Sequence, residues 1–556
     1  IYIKLENERI NMAKNLGGNL TPFSIFIGTV GTILVAASSF YVVLKFGALP
    51  WPTIMVTLIS ISTLGIFGRK DSGEITVTHT IMSAGSMVAG GVAFTVPGYL
   101  LLGGNLNNIN KVLFLITVLI GSVLGAVLSF IFRKKLIEED KLEFPIGEAA
   151  YNLVKSGKNK KNMKIVTLGM LFSTIVAVLR DYSFRKGKAP FIPTIYSIKN
   201  GLFSFYVSPL LLGIGYILGF MNTFIWFLGG AVTYLIAKPL SVYYNLKDFD
   251  IMKNSFGMGF VIGIGASVIL KIVLSTTKAN KYKKRRNDGT NIKVILGIFS
   301  IISIVLISYI YKLPLFLSLI LILICILCTV IAGYTTGKTG INPMEIYAIM
   351  SILIISFLNV MLNGLDIGGI KFSTNINLLV LFLLACIVAV ACGLAGDILN
   401  DFKSGFRMKV SPVEQFIGEL IGAVVSSFVV TFLFFIFFDV YKNIGPKENS
   451  ELIVLQASIV ASIIKGIPFI NIFWTGLGIG FILNMLNIPV LTFGIGIYLP
   501  FYLTLPVFAG GLISLISSRI SEKFSSNMLL FSNGLMSGEA IVGVILSILA
   551  YIKLFI

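Results

Sequence analysis

Polar side chains recur at helical spacing inside long apolar runs of this chain. Thr76, His79, Ser83 and Ser86 follow one another at intervals of three, four and three residues, which places them on one face of a helix. His79 is the only histidine in the sequence. Within a membrane, such a face is typical of a substrate path, and equally typical of small residues that pack helices around a hydrogen-bonded histidine.

Two carboxylates are candidates for proton coupling together with His79. Gln415, Glu419 and Ser426 share one face of a later apolar run, and Glu539 lies in the last one. A carboxylate or an imidazole at such a depth can bind a proton on one side of a membrane and release it on the other. Structural hydrogen bonding between helices is the alternative interpretation.

Two further residues are candidates for the substrate path at the start of a span. Asn342 precedes Pro343, and Glu345 follows in the first turn, which is where proline is favoured in a helix. Glu345 either faces the path or caps the helix at the membrane surface.

Two short amphipathic segments, Phe191–Gly201 and Leu452–Gly466, are too short to span a bilayer. We predict that both form re-entrant or surface helices on the outer side. Gln456 and Lys465 in the second segment are candidates for contact with an anionic substrate. A lysine that extends to the membrane surface is the ordinary alternative.

The composition predicts an all-α polytopic membrane protein. Of the 556 residues, 56% are hydrophobic and 12% are charged, which is more apolar surface than one soluble core can bury. Long apolar runs, including 74–102, 204–220, 222–243 and 376–396, predict about sixteen transmembrane helices. The polar stretch near 397–411 is interpreted as a connection. Gly85, Gly90, Gly91 and Pro97 predict an interruption within 74–102.

An internal duplication predicts how these helices are organised. Residues 212–222 read LGIGYILGFMN and residues 477–487 read LGIGFILNMLN, and seven of the eleven positions are identical. Weaker pairs follow in the same order. We therefore predict a cytoplasmic N-terminal segment (1–20), a first eight-span repeat (21–276), a basic cytoplasmic linker (277–290) and a second, parallel eight-span repeat (291–556), with the path where the repeats meet.

The charge of +20 predicts an orientation rather than a nucleic-acid partner. Most basic clusters fall on one side if the N-terminus is cytoplasmic. This predicts a multi-pass protein of a prokaryotic inner membrane with both termini in the cytoplasm, the lipid bilayer as its partner and no nucleic acid. Arg180, Arg185, Lys186 and Lys188 fall outside, either as an exception or as a mouth that attracts anions. Pairing into a homodimer is left open.

The sequence contains no pattern typical of an enzyme. HExxH and GxSxG are absent. Cys325 and Cys328 have CxxC spacing, but they lie in an apolar run without other metal ligands, so buried thiols are expected. We predict no enzymatic activity, no resident metal and no cofactor, with a proton gradient as the energy source and a metal only as part of a substrate.

Several short motifs occur in an order that is highly specific. They are Phe144-Pro145-Ile146-Gly147, Ser208-Pro209, Gly340-Ile341-Asn342-Pro343-Met344, GDILNDFKSG at 396–405, Ser411-Pro412, Lys465-Gly466, Tyr498-Leu499-Pro500 and GLMSGEA at 534–540. With these motifs the chain resembles the oligopeptide transporter family, in the prokaryotic branch related to the Yellow Stripe-like metal-chelate carriers. The resemblance implies a secondary active symporter, usually driven by protons, that imports small peptides or metal chelates.

The chain departs from this family at positions near the expected path. Thr76 and His79 stand where related proteins often have asparagine and glutamine, Ser86 replaces a common glutamate, and Glu148 replaces a usual threonine. The resemblance therefore implies the family but not the identity of the substrate. A passive channel or an exporter for a small polar solute is the alternative function, although interrupted helices and duplicated halves favour alternating access.

Overall fold

The protein is described by a computed structural model. The described residues are 18–46, 53–156, 160–182, 191–193, 195–197, 204–245, 248–279, 290–339, 342, 344–362, 366–367, 370–371, 376–445, 450–465, 469–486, 491–498 and 501–555.

Helices make up most of the described residues. In chain order they are α1 (Pro22–Phe46), α2 (Thr53–Ile66), α3 (Ser72–Ala93), α4 (Pro97–Leu101), α5 (Lys111–Arg133), α6 (Pro145–Ser156), α7 (Lys160–Asp181), α8 (Pro209–Ala231), α9 (Lys238–Tyr243), α10 (Phe249–Ala279), α11 (Thr290–Tyr311), α12 (Leu315–Thr339), α13 (Met344–Leu362), α14 (Leu378–Met408), α15 (Pro412–Val440), α16 (Leu455–Lys465), α17 (Ile470–Met485), α18 (Leu491–Tyr498), α19 (Phe501–Ile520) and α20 (Glu522–Phe555).

Shorter elements complete the described chain. The π-helical turns Lys134–Glu139 and Val232–Ala237 follow α5 and α8, and Leu106–Asn108 is a 3₁₀ turn. Strand β1 (Ile195–Ser197) pairs antiparallel with β2 (Ser204–Tyr206), with Tyr196 opposite Phe205. Strand β3 (Asp366–Ile367) pairs antiparallel with β4 (Ile370–Lys371).

The helices fit a polytopic membrane protein. Eight helical segments of the described residues are long and apolar enough to cross a bilayer, and five shorter apolar helices accompany them. This confirms the all-α polytopic class. The total of about sixteen spans and their arrangement as parallel repeats stay predictions.

The chain forms two compact units, and each draws on both halves of the sequence. Unit 1 takes Ile1–Val43, Trp51–Lys158 and Lys281–Phe435. Unit 2 takes Leu44–Pro50, Asn159–Asn280 and Ile436–Ile556. The compact units therefore do not follow the division at the basic linker, which stays a prediction about the duplicated sequence.

Unit 1 is built around α14 and α3. The apolar windows of both helices are 89% buried, and α14 packs against α3, α5, α6, α12 and α13. The sequence accounts for this position, because a helix that is apolar on all sides belongs in the interior of a bundle. The polar residues on α3 and on the C-terminal part of α14 are therefore carried into the core of unit 1.

Gly91 allows α3 and α14 to approach each other closely. A Cβ atom at Gly91 would lie 2.6 Å from Cγ2 of Val390 and 2.7 Å from its backbone N and Cα atoms. The contact includes the backbone of α14, so a side-chain rotation alone cannot make room for a methyl group.

Replacing Gly91 by alanine should destabilise unit 1 by about 1–3 kcal/mol, which is the usual cost of overpacking a core. The measurement is thermal melting of the purified protein in detergent. Gly65→Ala is the matched control, because a Cβ at Gly65 in α2 has no neighbouring atom within 4 Å. Equal melting temperatures for the two variants would show that α14 can move away from α3 to accommodate the methyl group without a loss of stability.

Unit 2 consists mainly of paired helices. The closest pairs are α10 with α17, α8 with α19, and α7 with α20, and β2 packs on α19. Small residues bring these helices together, since Gly213 of α8 and Gly538 of α20 face neighbouring helices where a Cβ would collide. This is the packing expected when helices associate inside a membrane.

Two predicted helix interruptions coincide with breaks in the structure. The run 74–102 is divided into α3 and α4, because α3 ends at Ala93 and α4 begins at Pro97. The runs 204–220 and 222–243 meet near Gly219 of α8, whose φ of 77° and ψ of 166° are not helical. Glycine tolerates this backbone conformation without steric cost.

Two predictions about local structure are wrong. The stretch near 397–411 was interpreted as a connection, but α14 continues as a helix to Met408. The segment Phe191–Gly201 was expected to be a short helix, but residues 195–197 form β1. The second short segment does contain a helix, because α16 runs from Leu455 to Lys465.

Candidate functional site

The polar face predicted on α3 lies in the core of unit 1. Thr76, His79, Ser83 and Ser86 are all fully buried. Thr76 and Ser86 donate hydrogen bonds to carbonyl oxygens of their own helix, at 2.7 and 2.9 Å. His79 and Ser83 instead reach the neighbouring helix α14, so these two residues carry the chemistry of the face.

Asp401 of α14 contacts both His79 and Ser83 of α3. Its Oδ1 atom lies 3.0 Å from Nε2 of His79, and the hydroxyl of Ser83 donates to its Oδ2 atom. The His79 and Asp401 side chains are both inaccessible to solvent. The two side chains form an ion pair when the imidazole is protonated, and the loss of either partner then leaves a buried charge.

Asp397 lies one helical turn before Asp401 on the same face of α14. The hydroxyl of Thr53 in α2 donates to its Oδ1 atom at 3.0 Å. Its Oδ2 atom accepts no hydrogen bond from the described residues, although the side chain is fully buried. His79 and Asp401 are the charged neighbours of this carboxylate.

Glu419 approaches the same place from α15. Neither of its carboxylate oxygens has a hydrogen-bond partner among the described residues, and the side chain is fully buried. Its charged neighbours are Asp401 and Asp397. We call His79, Asp397, Asp401 and Glu419 the acidic cluster.

Gln415 anchors α15 beside the acidic cluster. Its side-chain amide nitrogen donates to the backbone carbonyl of Asp401 at 2.8 Å and lies 3.3 Å from the hydroxyl of Thr80. One residue therefore links α15 to both α14 and α3. The predicted face of α15 that carries Gln415 and Glu419 is the face directed at this cluster.

The acidic cluster has the chemistry of a proton-binding site. It combines three carboxylates and one imidazole on α3, α14 and α15, all without solvent exposure. Among the described residues, no three His, Cys, Asp or Glu side chains are placed to hold a metal ion. The groups that lack hydrogen-bond donors can be satisfied by protons, which require no additional space.

Glu539 lies in unit 2 and has a different environment. Its Oε1 atom is 2.6 Å from Nη1 of Arg180. The hydroxyl of Ser208 and the backbone N–H of Leu210 donate to the carboxylate at 2.9 Å. The Glu539 carboxylate therefore has hydrogen-bond donors from three residues of unit 2, and its assignment to proton coupling stays a prediction.

Arg180 is the buried centre of this second network. Its guanidinium donates to both carboxylate oxygens of Asp181 and to the carbonyl of Val207 as well as to Glu539. The ring of Tyr206 lies 5.3 Å from its central carbon. Arg180 is thus engaged within the protein, and Arg185, Lys186 and Lys188 lie outside the described residues.

An apolar cavity of about 600 Å³ lies beside this network in unit 2. Its wall is formed by the strand pair β1–β2, the residues 192, 193 and 207 that flank it, and one side of α19. The lining residues are Ile192, Pro193, Tyr196, Phe205, Val207, Leu505, Phe508, Ala509 and Leu512. This cavity is open to the surface and its lining is almost entirely apolar.

The remaining predicted path residues are spread over both units. The Asn342 amide nitrogen donates to the carbonyls of Cys392 and Gly393 on α14, at 2.8 and 3.3 Å, so Asn342 lies in unit 1 near the acidic cluster. Gln456 is half-buried on α16 in unit 2. The side chains of Glu345 and Lys465 lie outside the described residues. The site assignments as a whole stay predictions.

Comparison with known proteins assigns the chain to a family. The model of the "OPT oligopeptide transporter protein" family matches residues 19–250 and 277–550, which is most of the sequence. The chain belongs to the OPT oligopeptide transporter family. A curated relative from Haemophilus influenzae, named "Putative oligopeptide transporter", is 25% identical over an alignment of 599 positions that covers 91% of this chain and 92% of the relative.

For this OPT family member, sequence reasoning found one side of the acidic cluster and missed the other. His79 and Glu419 were candidates, whereas Asp397 and Asp401 were not. Both aspartates occur in the GDILNDFKSG motif, which the polar composition of 397–411 suggested to be a connection. Their spacing of four residues was the available signal, because it places them on one helical face.

Proposed function

We propose that this protein is a secondary active transporter that imports small peptides, or peptide-like metal chelates, together with protons by alternating access. Membership of a transporter family supports the transport of peptides as the general activity. The observation that carries the coupling is the acidic cluster in the core of unit 1. A cluster of unpartnered ionisable groups in a membrane-embedded bundle is costly to maintain.

The unfavourable free energy of burying the acidic cluster has a functional explanation if the charge of the cluster changes during transport. A buried carboxylate without hydrogen-bond donors, such as Glu419, weakens the fold unless a proton neutralises it. When the bundle opens to water on one side, the same group can exchange its proton with that side. A group that is neutral when buried and charged when hydrated couples proton movement to the conformational change.

The experiment is uptake of a labelled mixture of peptides of two to six residues into proteoliposomes with an imposed pH gradient. A thermal-shift screen first selects peptides that raise the melting temperature, since ligands of the folded state stabilise it. We expect peptide to accumulate above its external concentration and to leave when a protonophore is added. Uptake that only equilibrates would indicate passive transport, and accumulation driven by a sodium gradient alone would refute proton coupling.

A further inference from the structure

We propose that the acidic cluster of unit 1 binds more than one proton at a time, with Asp401 as the residue that connects its two sides. This inference rests on the proposed function and deepens it. It assigns Asp397 and Asp401 to the coupling site beside His79 and Glu419, and it makes the number of protons transported with each substrate greater than one.

The charges in the cluster do not balance without additional protons. Three carboxylates share the space with one imidazole, and a protonated His79 compensates only one of them. The nearest charged side chains outside the cluster, on the same helices, have partners that do not belong to the cluster. Lys403 of α14 donates to the carbonyl of Leu142 at 2.8 Å, Glu414 of α15 accepts from Asn19, and Glu74 of α3 pairs with Arg69.

The described cations on the other packed helices are also engaged elsewhere, since Arg133 of α5, beside Phe402, pairs with Glu138 at 2.6 Å. Helix α2 contributes the neutral hydroxyl of Thr53. Helix α6 contributes Glu148, whose partners are Lys403 and Arg407. Two carboxylates of the acidic cluster are therefore left without a positive partner, which is unfavourable in a low-dielectric core.

The hydrogen bonds indicate where the protons bind. The hydroxyl of Thr53 donates to one oxygen of Asp397, and the hydroxyl of Ser83 donates to one oxygen of Asp401. The oxygens left without hydrogen-bond donors among the described residues are Oδ2 of Asp397, both oxygens of Glu419, and Oδ1 of Asp401, which lies 3.0 Å from Nε2 of His79. A proton on Glu419 converts one of these oxygens into a donor for Asp401, and a proton on Asp397 removes its unpartnered charge.

Protons fit this place better than a metal ion. All four members of the cluster are fully buried, and no three of the described His, Cys, Asp and Glu side chains are placed to hold a metal. A cation such as sodium needs several oxygens arranged around it, whereas a proton needs one oxygen and one acceptor. Asp401 lies next to both His79 and Glu419, so protons on either side share it as their partner.

The test is the reversal of peptide flux in proteoliposomes that carry the full chain. The probe is a zwitterionic peptide from the thermal-shift screen, with the membrane potential fixed and the pH gradient varied until net flux stops. The balance point gives the number of protons per peptide. We expect about two for the wild type, since two carboxylates lack a positive partner, and a value about one lower for Asp397→Asn and for Glu419→Gln.

Glu414→Gln is the matched control, because it makes the same chemical change on the same helix, and its value should equal that of the wild type. A wild-type ratio of one would overturn this inference while leaving proton-coupled transport intact. Absence of any proton-driven flux would refute the proposed function instead. A reversal point that follows the sodium gradient would overturn both, and the wild-type ratio decides the matter even if a variant fails to fold.

Discussion

Replacing Arg180 by methionine should remove most of the correctly folded protein. Arg180 is fully buried, and its guanidinium holds Glu539 of α20 at 2.6 Å and Asp181 of α7. Methionine fills a similar volume but leaves the Glu539 carboxylate buried without its positive partner. Breaking a buried ion pair in this way costs about 3–5 kcal/mol, which is a large part of the stability of a typical protein.

The measurement is the yield of monodisperse protein in size-exclusion chromatography, together with its melting temperature. Arg69→Met is the matched control, because Arg69 also pairs with a glutamate but is 40% exposed, and an exposed pair contributes about 0–1 kcal/mol. The double variant Arg180→Met with Glu539→Gln should recover part of the loss. Normal yield and melting of Arg180→Met would show that this network does not hold α7 and α20 together.

The helical architecture could be predicted from hydrophobicity, because a bilayer allows few alternatives. Apolar runs of sufficient length must form helices there, and Pro97 and Gly219 mark interruptions through backbone chemistry that the sequence displays directly. The continuation of α14 beyond residue 396 could not be predicted in this way. Asp397 and Asp401 are polar residues that face other polar groups in the core. Hydropathy cannot distinguish a polar residue buried in this way from one exposed to water.

The antiparallel strand pair β1–β2 could not be predicted for a different reason. Residues 195–197 and 204–206 are only three residues each and of mixed polarity, which is too short to show a periodic pattern, and β2 packs on α19. Strand formation depends strongly on such packing, so a short segment does not reveal it. The prediction of a surface helix at 191–201 therefore used a pattern that was too short to be decisive.

For the candidate site, the sequence predicts which residues share a face within each helix. Spacing alone placed His79 and Ser83 on one face of α3 and Gln415 and Glu419 on one face of α15. Spacing cannot tell which helices become neighbours, so the partners of these faces were unknown. The same limit explains why Glu539 was grouped with Glu419, although Arg180 neutralises the former and no described side chain does so for the latter.

Replacing His79 by glutamine should lower the concentration ratio that peptide uptake reaches. Glutamine can still donate a hydrogen bond to Asp401, but it cannot carry the proton that the imidazole shares with that carboxylate at 3.0 Å. We expect the variant to accumulate peptide to a lower ratio than the wild type at the same pH gradient, while exchange of labelled for unlabelled peptide continues. Exchange requires the carrier to change sides with peptide bound but needs no net movement of protons.

The neighbouring substitution Thr78→Val is the control, because Thr78 is equally buried on α3 but donates only to the carbonyl of Glu74 in its own helix. It should leave both uptake and exchange unchanged. Melting temperatures of His79→Gln, Asp401→Asn and the double variant separate coupling from folding. If the pair is mainly structural, each single change should lower the melting temperature and abolish exchange as well as uptake, since a buried charge is then left alone. Exchange at the wild-type rate together with a lower accumulation ratio would assign a coupled proton to this pair, because the ratio reached at steady state depends on proton coupling and exchange does not.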